Sequence, residues 1–427
     1  MSKYQSSSYR TYVLVLLTFV YAVNFVDRQL LAILQESIKA DLSLSDTQLG
    51  LLTGFAFAMF YVLAGIPIAR WADKSNRRSI ISLAIGVWSV MTALSGLAAN
   101  FVQLLLARIG VGVGEAGCSP PAHSMISDMY PPEKRATALS FYSVGINVGI
   151  MIGFLLGGVI NQYFGWRVAF FVVGAPGILL ALWFRFSVEE PIRGWSEKRE
   201  VKKETVDLGQ VVKFILARKY LIHTSFGAAL SAVAGYALSS WSASFYIRSH
   251  GMPTAELGVW LAAGVGIFGS LGTFGCGYLA DKFGRRDRRY YLWVPAIAIL
   301  LTIPFMAYAY STESVMMSLI VGLIPPAFTT GYLGASLAVF HSSVEPRMRA
   351  TSSALFFLIL NIIGLGMGPT IIGATSDLLA DSQGVQSLRY AMLIIVPTAC
   401  VWAAAHFFLA ARSYGQAHAA APESKPA

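Results

Sequence analysis

The sequence predicts an all-α polytopic membrane protein, with twelve transmembrane helices in two pseudo-symmetric six-helix bundles of like orientation. Three observations carry that expectation. The 427 residues are 56% apolar and only 13% charged, where a soluble protein carries about a quarter charged residues. Apolar stretches at 11–33, 47–70, 79–98, 101–126, 136–161, 167–187, 219–247, 255–279, 291–310, 314–340, 350–376 and 388–411 are of a length to cross a bilayer as helices. None alternates as a barrel strand would. Third, short motifs recur between the two halves at a nearly constant offset.

The polar start, Met1 to Arg10, leads straight into the first span and reads as carrying no cleavable signal. With the N-terminus in the cytoplasm, 26 of the 32 Lys and Arg fall on that side, 4 outside (Lys39, Arg167, Arg248, Arg389) and 2 within spans (Arg28, Arg108). The positive-inside rule then predicts a multi-pass protein of the inner (plasma) membrane with both termini cytoplasmic. The same asymmetry explains the net charge of +10 without any nucleic acid. Cys118, Cys276 and Cys400 lie in apolar runs without metal-ligand spacing and read as buried free thiols.

Along the chain, the first span carries Asn24, Asp27 and Arg28. The fourth holds Arg108-Ile-Gly-Val-Gly-Val-Gly-Glu115, a cation and an anion at membrane depth. Such charges cost several kcal/mol unless they find partners or face water. Seven residues is close to two helical turns, so both share one face about 10 Å apart. That is too far for a mutual ion pair, and each is expected to meet another helix. Gly110, Gly112, Gly114 and Gly117 let neighbouring backbones approach. In the fifth span Gly145, Gly149, Gly153 and Gly157 recur every fourth residue and form a close-packing face. After the sixth span, 189–218 is rich in both signs of charge. Within it Leu208, Val211, Val212 and Ile215 follow Asp207, a candidate N-cap, at amphipathic helical spacing. A short helix at the membrane surface is expected, with a solvated tether as the alternative. The expected organisation is a bundle at 1–188, this linker, a bundle at 219–412 and a disordered cytoplasmic tail at 413–427.

The halves repeat. Ala69-Arg-Trp-Ala-Asp73-Lys-Ser-Asn-Arg77-Arg78 recurs as Gly277-Tyr-Leu-Ala-Asp281-Lys-Phe-Gly284-Arg285-Arg286, an offset of 208, and Leu49-Gly50 matches Leu257-Gly258 at the same offset. Arg135-Ala-Thr137 recurs as Arg349-Ala-Thr351, and Asn147 matches Asn361, at an offset of 214. Two halves of like orientation joined by a long loop give a parallel repeat about an axis along the membrane normal.

These residues resemble the major facilitator superfamily of secondary transporters over essentially the whole chain. The loop motif is complete at Gly277, Asp281, Gly284, Arg285 and Arg286, whereas the first copy has Ala69 and Asn76 at its glycine positions. Asn24-Phe-Val-Asp27-Arg28 with Arg108 and Glu115 resembles the spinster subfamily. That group is associated with proton-linked export of lysophospholipids and sphingolipid-type amphiphiles, with sugars a further candidate.

The resemblance implies that the first and fourth spans flank one cavity. Asp27 and Arg108 then lie at matching depth and form a natural pair, either a static packing contact or part of a pathway. Burial favours a neutral Glu115 and a nearby arginine favours its carboxylate, the opposed pulls a proton switch needs. The expected proton-coupling set is Asp27, Arg28, Arg108 and Glu115, and the substrate-binding set Asn24, Arg28, Arg108, Asn147 and Asn361. Asp73, Arg77, Arg135, Asp281, Arg285 and Arg349 are expected to form a conformational latch, against the plainer reading of a solvated topology signal. No nucleophile elbow, Walker loop or metal cluster is present in the sequence, so no enzyme, cofactor or ATP-driven pump is expected. The expected function is proton-coupled transport of an amphiphilic lipid by alternating access, by a monomer whose partners are substrate, protons and bilayer. The alternatives are carriage of a small organic anion or sugar, and a lipid sensor that does not transport.

Overall fold

Backbone groups in hydrocarbon must be paired within their own segment or a closed barrel. The apolar stretches accordingly all form helix. The computed structural model describes residue 4 and residues 6–195, 208–345 and 348–419, and no strand occurs among them. Among the described residues eleven helical stretches are long and apolar enough to span, and the last, Thr351–Ala417, covers 67 residues. It contains two spans, separated by the turn Gly384–Gln386, where Gly384 takes φ 53°. The chain therefore has twelve transmembrane helices in two six-helix bundles.

By contact, one compact unit comprises Met1–Lys203 with Ser240–Gly266, and the other Glu204–Ser239 with Ile267–Ala427. The division differs from one at the 189–218 linker, because the end of the seventh span (Lys219–His250) and the start of the eighth (Thr254–Gly284) group with the first unit. There Arg248 pairs with Glu36 at 2.8 Å and with Asp46 at 2.7 Å. Asp46 also takes Lys39. A Cβ on Gly258 would lie 2.5 Å from the Phe154 carbonyl, which gives the Leu257-Gly258 motif its physical reason.

In the first unit the glycine face of the fifth span (Glu133–Phe164) lies on the first span (Ser7–Leu42), with a Cβ on Gly145 only 2.6 Å from the Thr18 carbonyl. The start of the expected linker belongs to this bundle: Tyr9 donates to the Ser187 carbonyl at 3.0 Å and accepts from the Glu189 amide at 2.8 Å.

In the second unit the helix Leu208–Leu216 buries Val211 and Ile215 and packs against Arg349–Ile359. Its amphipathic face is thus covered by protein, while its candidate cap Asp207 lies outside the described residues. The expected disordered tail is corrected in part: the last helix runs Ser387–Ala419. Tyr414, 2% exposed, anchors it edge-on to Tyr220 at 5.2 Å. Residues 420–427 lie outside the described set.

The repeat extends to helix irregularities. The second span breaks at Gly54, between Asp46–Thr53 and Phe55–Lys74. At the offset of 208 the eighth span widens into a π-helix at Ala262–Phe268. The fourth span breaks between Phe101–Glu115 and Ser119–Met129, and the tenth between Pro325–Thr329 and Tyr332–Ser343, at the offset of 214.

Candidate functional site: two ion pairs buried in the first bundle

Asp27 and Arg28 are adjacent on a continuous helix, so their side chains diverge by about 100°. Asp27 is 1% exposed and its Oδ1 accepts from Nη1 of Arg108 at 3.0 Å, while its Oδ2 accepts from the Thr92 hydroxyl. Arg28 turns the other way, and its Nε donates to Glu115 Oε2 at 2.6 Å. Two neighbours on the first span thus bind two residues seven apart on the fourth. Glu115 had no evident local partner from sequence. Its partner is the residue beside Asp27.

Local structure explains why Glu115 needs that arginine. It is the last residue of Phe101–Glu115, where the negative end of the helix dipole opposes a carboxylate, and it is 1% exposed. The glycines let the fourth span come close enough to its neighbours. A Cβ on Gly112 would lie 3.0 Å from the Phe57 carbonyl, and one on Gly114 2.7 Å from the Trp88 nitrogen.

The two pairs differ in access. Arg108 and Asp27 are 3% and 1% exposed at their side chains, whereas Arg28 keeps 16%. Its guanidinium carbon lies 4.8 Å from the Phe25 ring centroid and 5.0 Å from those of Phe57 and Tyr61. Aromatic faces stabilise a guanidinium that has left water. Glu115 Oε1, Arg108 Nε and Asn24 Nδ2 are buried without a hydrogen-bond partner among the described residues. The arrangement holds charge at membrane depth while leaving bonding capacity beside each pair.

The remaining expected residues do not join this cluster by hydrogen bonds. Asn147 and Asn361 are half-buried, the latter in the π-helix Leu360–Met367. Asp73 is exposed. Arg77 departs from the expected latch: it is 1% exposed and braces its own bundle. It binds Asp128 at 2.5 Å, Glu190 at 2.7 Å, Ser124 at 2.8 Å and the Pro191 carbonyl at 2.9 Å. Arg135 donates to the Ser127 carbonyl at 3.0 Å. In the second unit Asp281 accepts from the Tyr291 hydroxyl at 2.8 Å, Arg349 donates to the His341 carbonyl at 3.1 Å, and Arg285 is exposed.

Sequence reasoning missed Thr92, the aromatic cage, and Asp128 and Glu190. The Tyr and Phe of the cage sit among many aromatics in apolar runs, and nothing in spacing singles them out. Glu190 was legible only as part of a charged linker.

A twelve-span helical fold with a charged cluster buried in one bundle defines a membrane transporter scaffold. The chain belongs to the Major Facilitator Superfamily, whose model matches residues 17–369, and within it to the spinster-like transporters. A solved bacterial homologue of the human lysosomal transporter spinster, in an inward-facing and unoccupied conformation, superposes with a TM-score of 0.88 at 36% identity, covering 96% of this chain and 98% of that one. An MFS-type efflux pump of Mycolicibacterium smegmatis is 34% identical over 400 residues, 93% of this chain and 92% of the relative. A hexuronate transporter of Bacillus subtilis is 24% identical over 399 residues, covering 91% and 93%.

Proposed function

We propose that the protein is a proton-coupled secondary transporter that exchanges protons for an amphiphilic lipid with an anionic headgroup, of the lysophospholipid or sphingolipid type. The observation that carries this reading is the double ion pair Asp27–Arg108 and Arg28–Glu115. Each carboxylate neutralises one arginine, so a proton taken by either carboxylate releases an arginine. Arg28, the more accessible cation, then meets an anionic headgroup while Phe25, Phe57 and Tyr61 contact its apolar neighbours. Proton and substrate compete for the same cations, and that competition couples the two fluxes. Asn24, Asn147 and Asn361 add neutral hydrogen-bonding capacity for the polar part of the substrate. Alternating access follows from this competition in a two-bundle scaffold, with Asp73, Asp281, Arg135, Arg285 and Arg349 as candidates for a contact that differs between states.

A second reading, a small organic anion such as a sugar acid, is favoured by the guanidinium fork of Arg28, which fits a carboxylate as well as a phosphate. The hexuronate transporter among its relatives points the same way.

The test is flux into proteoliposomes with and without an imposed pH gradient, using a lysophospholipid and a hexuronate as cargo. Glu115→Gln is expected to bind cargo but lose gradient-driven accumulation. Retained accumulation would sink the coupling role. Orientation is read with an impermeant thiol reagent on sealed cells. Cysteine at Ser382 is expected to react and cysteine at Ser75 to stay protected, as cytoplasmic termini require.

A further inference from the structure

The second bundle carries a concavity at the basic end of its ninth and twelfth spans, remote in sequence from the charged cluster of the first bundle. It has a volume of about 750 Å3 and is lined by Arg286, Arg288, Arg289 and Arg412, with Trp293 and Phe408 among its apolar walls. Among the described residues Asp287 is the one carboxylate lining it, and Arg289 already holds that group at 2.7 Å. Arg286, Arg288 and Arg412 have no carboxylate partner among the described residues. Four guanidinium groups around one hollow repel one another, and a single acid does not balance them.

The first bundle meets the arginine pair of its own loop motif with acids. At the offset of 208, Arg78 corresponds to Arg286 and Arg77 to Arg285. There the chain that follows the sixth span folds back and supplies Glu190, which binds Arg77 Nε at 2.7 Å and the Arg78 amide at 2.8 Å. At the end of the twelfth span's helix the described residues Tyr414-Gly-Gln-Ala-His-Ala419 include no acid, and the next acid in the sequence, Glu423, lies outside the described residues. The helix end nevertheless packs closely, since a Cβ on Gly415 would lie 2.9 Å from Cδ of Arg289. Among the described residues that line the hollow, four arginines thus face one carboxylate that is already paired.

We propose that this hollow binds a phosphate ester. Guanidinium groups bind phosphate oxygens through paired, charge-assisted hydrogen bonds. Trp293, whose ring centroid lies 4.9 Å from the Arg289 guanidinium carbon, steadies one of them. Phe408, 42% exposed on the same wall, offers apolar surface where a headgroup meets its acyl chains. Two sources carry this chemistry: the headgroup of an anionic phospholipid, and a soluble phosphate ester.

The experiment uses the full chain in detergent micelles, with melting temperature followed against dioleoylphosphatidylglycerol and, separately, dioleoylphosphatidylcholine. A ligand that binds only the folded state raises that temperature. Phosphatidylglycerol is expected to stabilise and phosphatidylcholine not. In Arg288→Gln/Arg412→Gln the apparent affinity is expected to fall about tenfold or more, at about one basic residue's attraction each. Lys134→Gln, an exposed basic position of the first bundle, is expected to leave it unchanged. The double variant's own melting temperature without lipid controls for folding, and Arg288→Lys/Arg412→Lys is expected to restore most of the binding. Glycerol 3-phosphate separates the sources: if it competes at millimolar concentration the soluble ester suffices, and if it does not the lipid is the ligand. Equal stabilisation by both lipids, or an unweakened double variant, overturns the site.

Discussion

In the first bundle the positions of Arg28 and Glu115 hold an ion pair at 2.6 Å. In the second, the same two offsets hold Tyr236 and Thr329. The backbone around them is alike. The tenth span breaks just after Thr329 as the fourth breaks after Glu115, and a Cβ on Gly235 would lie 3.7 Å from Thr329, so the seventh and tenth spans approach closely there. The contrast extends across the bundles. Among the described residues the buried charged side chains are Asp27, Asp46, Arg77, Arg108 and Glu115, all in the first half of the sequence. The second half buries hydroxyls. A hydroxyl in a helix can return its bond to the carbonyl four residues back, as Thr224 does to Tyr220 at 2.7 Å and Ser352 to Met348 at 2.6 Å. A buried charge has no such local solution and must recruit another helix. One copy of the repeat is therefore tied across helices by buried charge, and the other, among the described residues, fully buries no charged side chain.

The sharpest way to break this comparison is to remove one buried cation. Arg108→Ala leaves Asp27 with only the Thr92 hydroxyl. A buried charge stripped of its partner costs about 3–5 kcal/mol, so the variant is expected to melt well below the parent and to transport nothing. A smaller effect compares the two loop motifs. Arg77→Gln breaks bonds to Asp128 and Glu190, whose carboxylates keep some solvent, and is expected to cost about 2 kcal/mol. Its repeat partner Arg285 is exposed, and Arg285→Gln is expected to stay within about 0.5 kcal/mol. Thermal melts of both in one detergent check the pair, and equal losses would show that the motif copies share a structural task.

The fold was legible because the bilayer leaves few choices. Length and hydropathy mark the spans, and motifs recurring at offsets of 208 and 214 mark the repeat, before any packing is known. Half of the charged site was legible too: with the first and fourth spans placed side by side by the family resemblance, matching depth aligned Asp27 with Arg108, and they meet at 3.0 Å. The other half was not. Which way Arg28 turns depends on a long, flexible side chain and on the kink after Glu115, neither of which has a period in sequence. The partners of Arg77 escaped the sequence for a related reason. Its repeat position suggested a contact made in one state only, but its actual partners, Asp128 and Glu190, lie 51 and 113 residues away in sequence. Short-range spacing says nothing of them. The first part of the tail differed for another reason, since a run of small polar residues reads as disordered, whereas Tyr414 is a buried ring within the helix that ends at Ala419.

The smallest expected effect tests whether the buried interior of the second bundle depends on a polar partner. Thr302 in the ninth span is fully buried, and its hydroxyl has no hydrogen-bond partner among the described residues. Valine has nearly the same shape and lacks only that hydroxyl. Removing an unsatisfied buried polar group relieves a desolvation penalty of about 1–3 kcal/mol at most, and part of that is already offset by local relaxation. Thr302→Val is therefore expected to leave the melting temperature unchanged or raise it by a few degrees, with flux intact. The same exchange at Thr92 in the first bundle removes a donor to Asp27 and is expected to lower stability and impair coupling. A marked loss at Thr302, equal to that at Thr92, would mean that the second bundle also relies on a buried polar partner. The division into a charged copy and a neutral one would then fail.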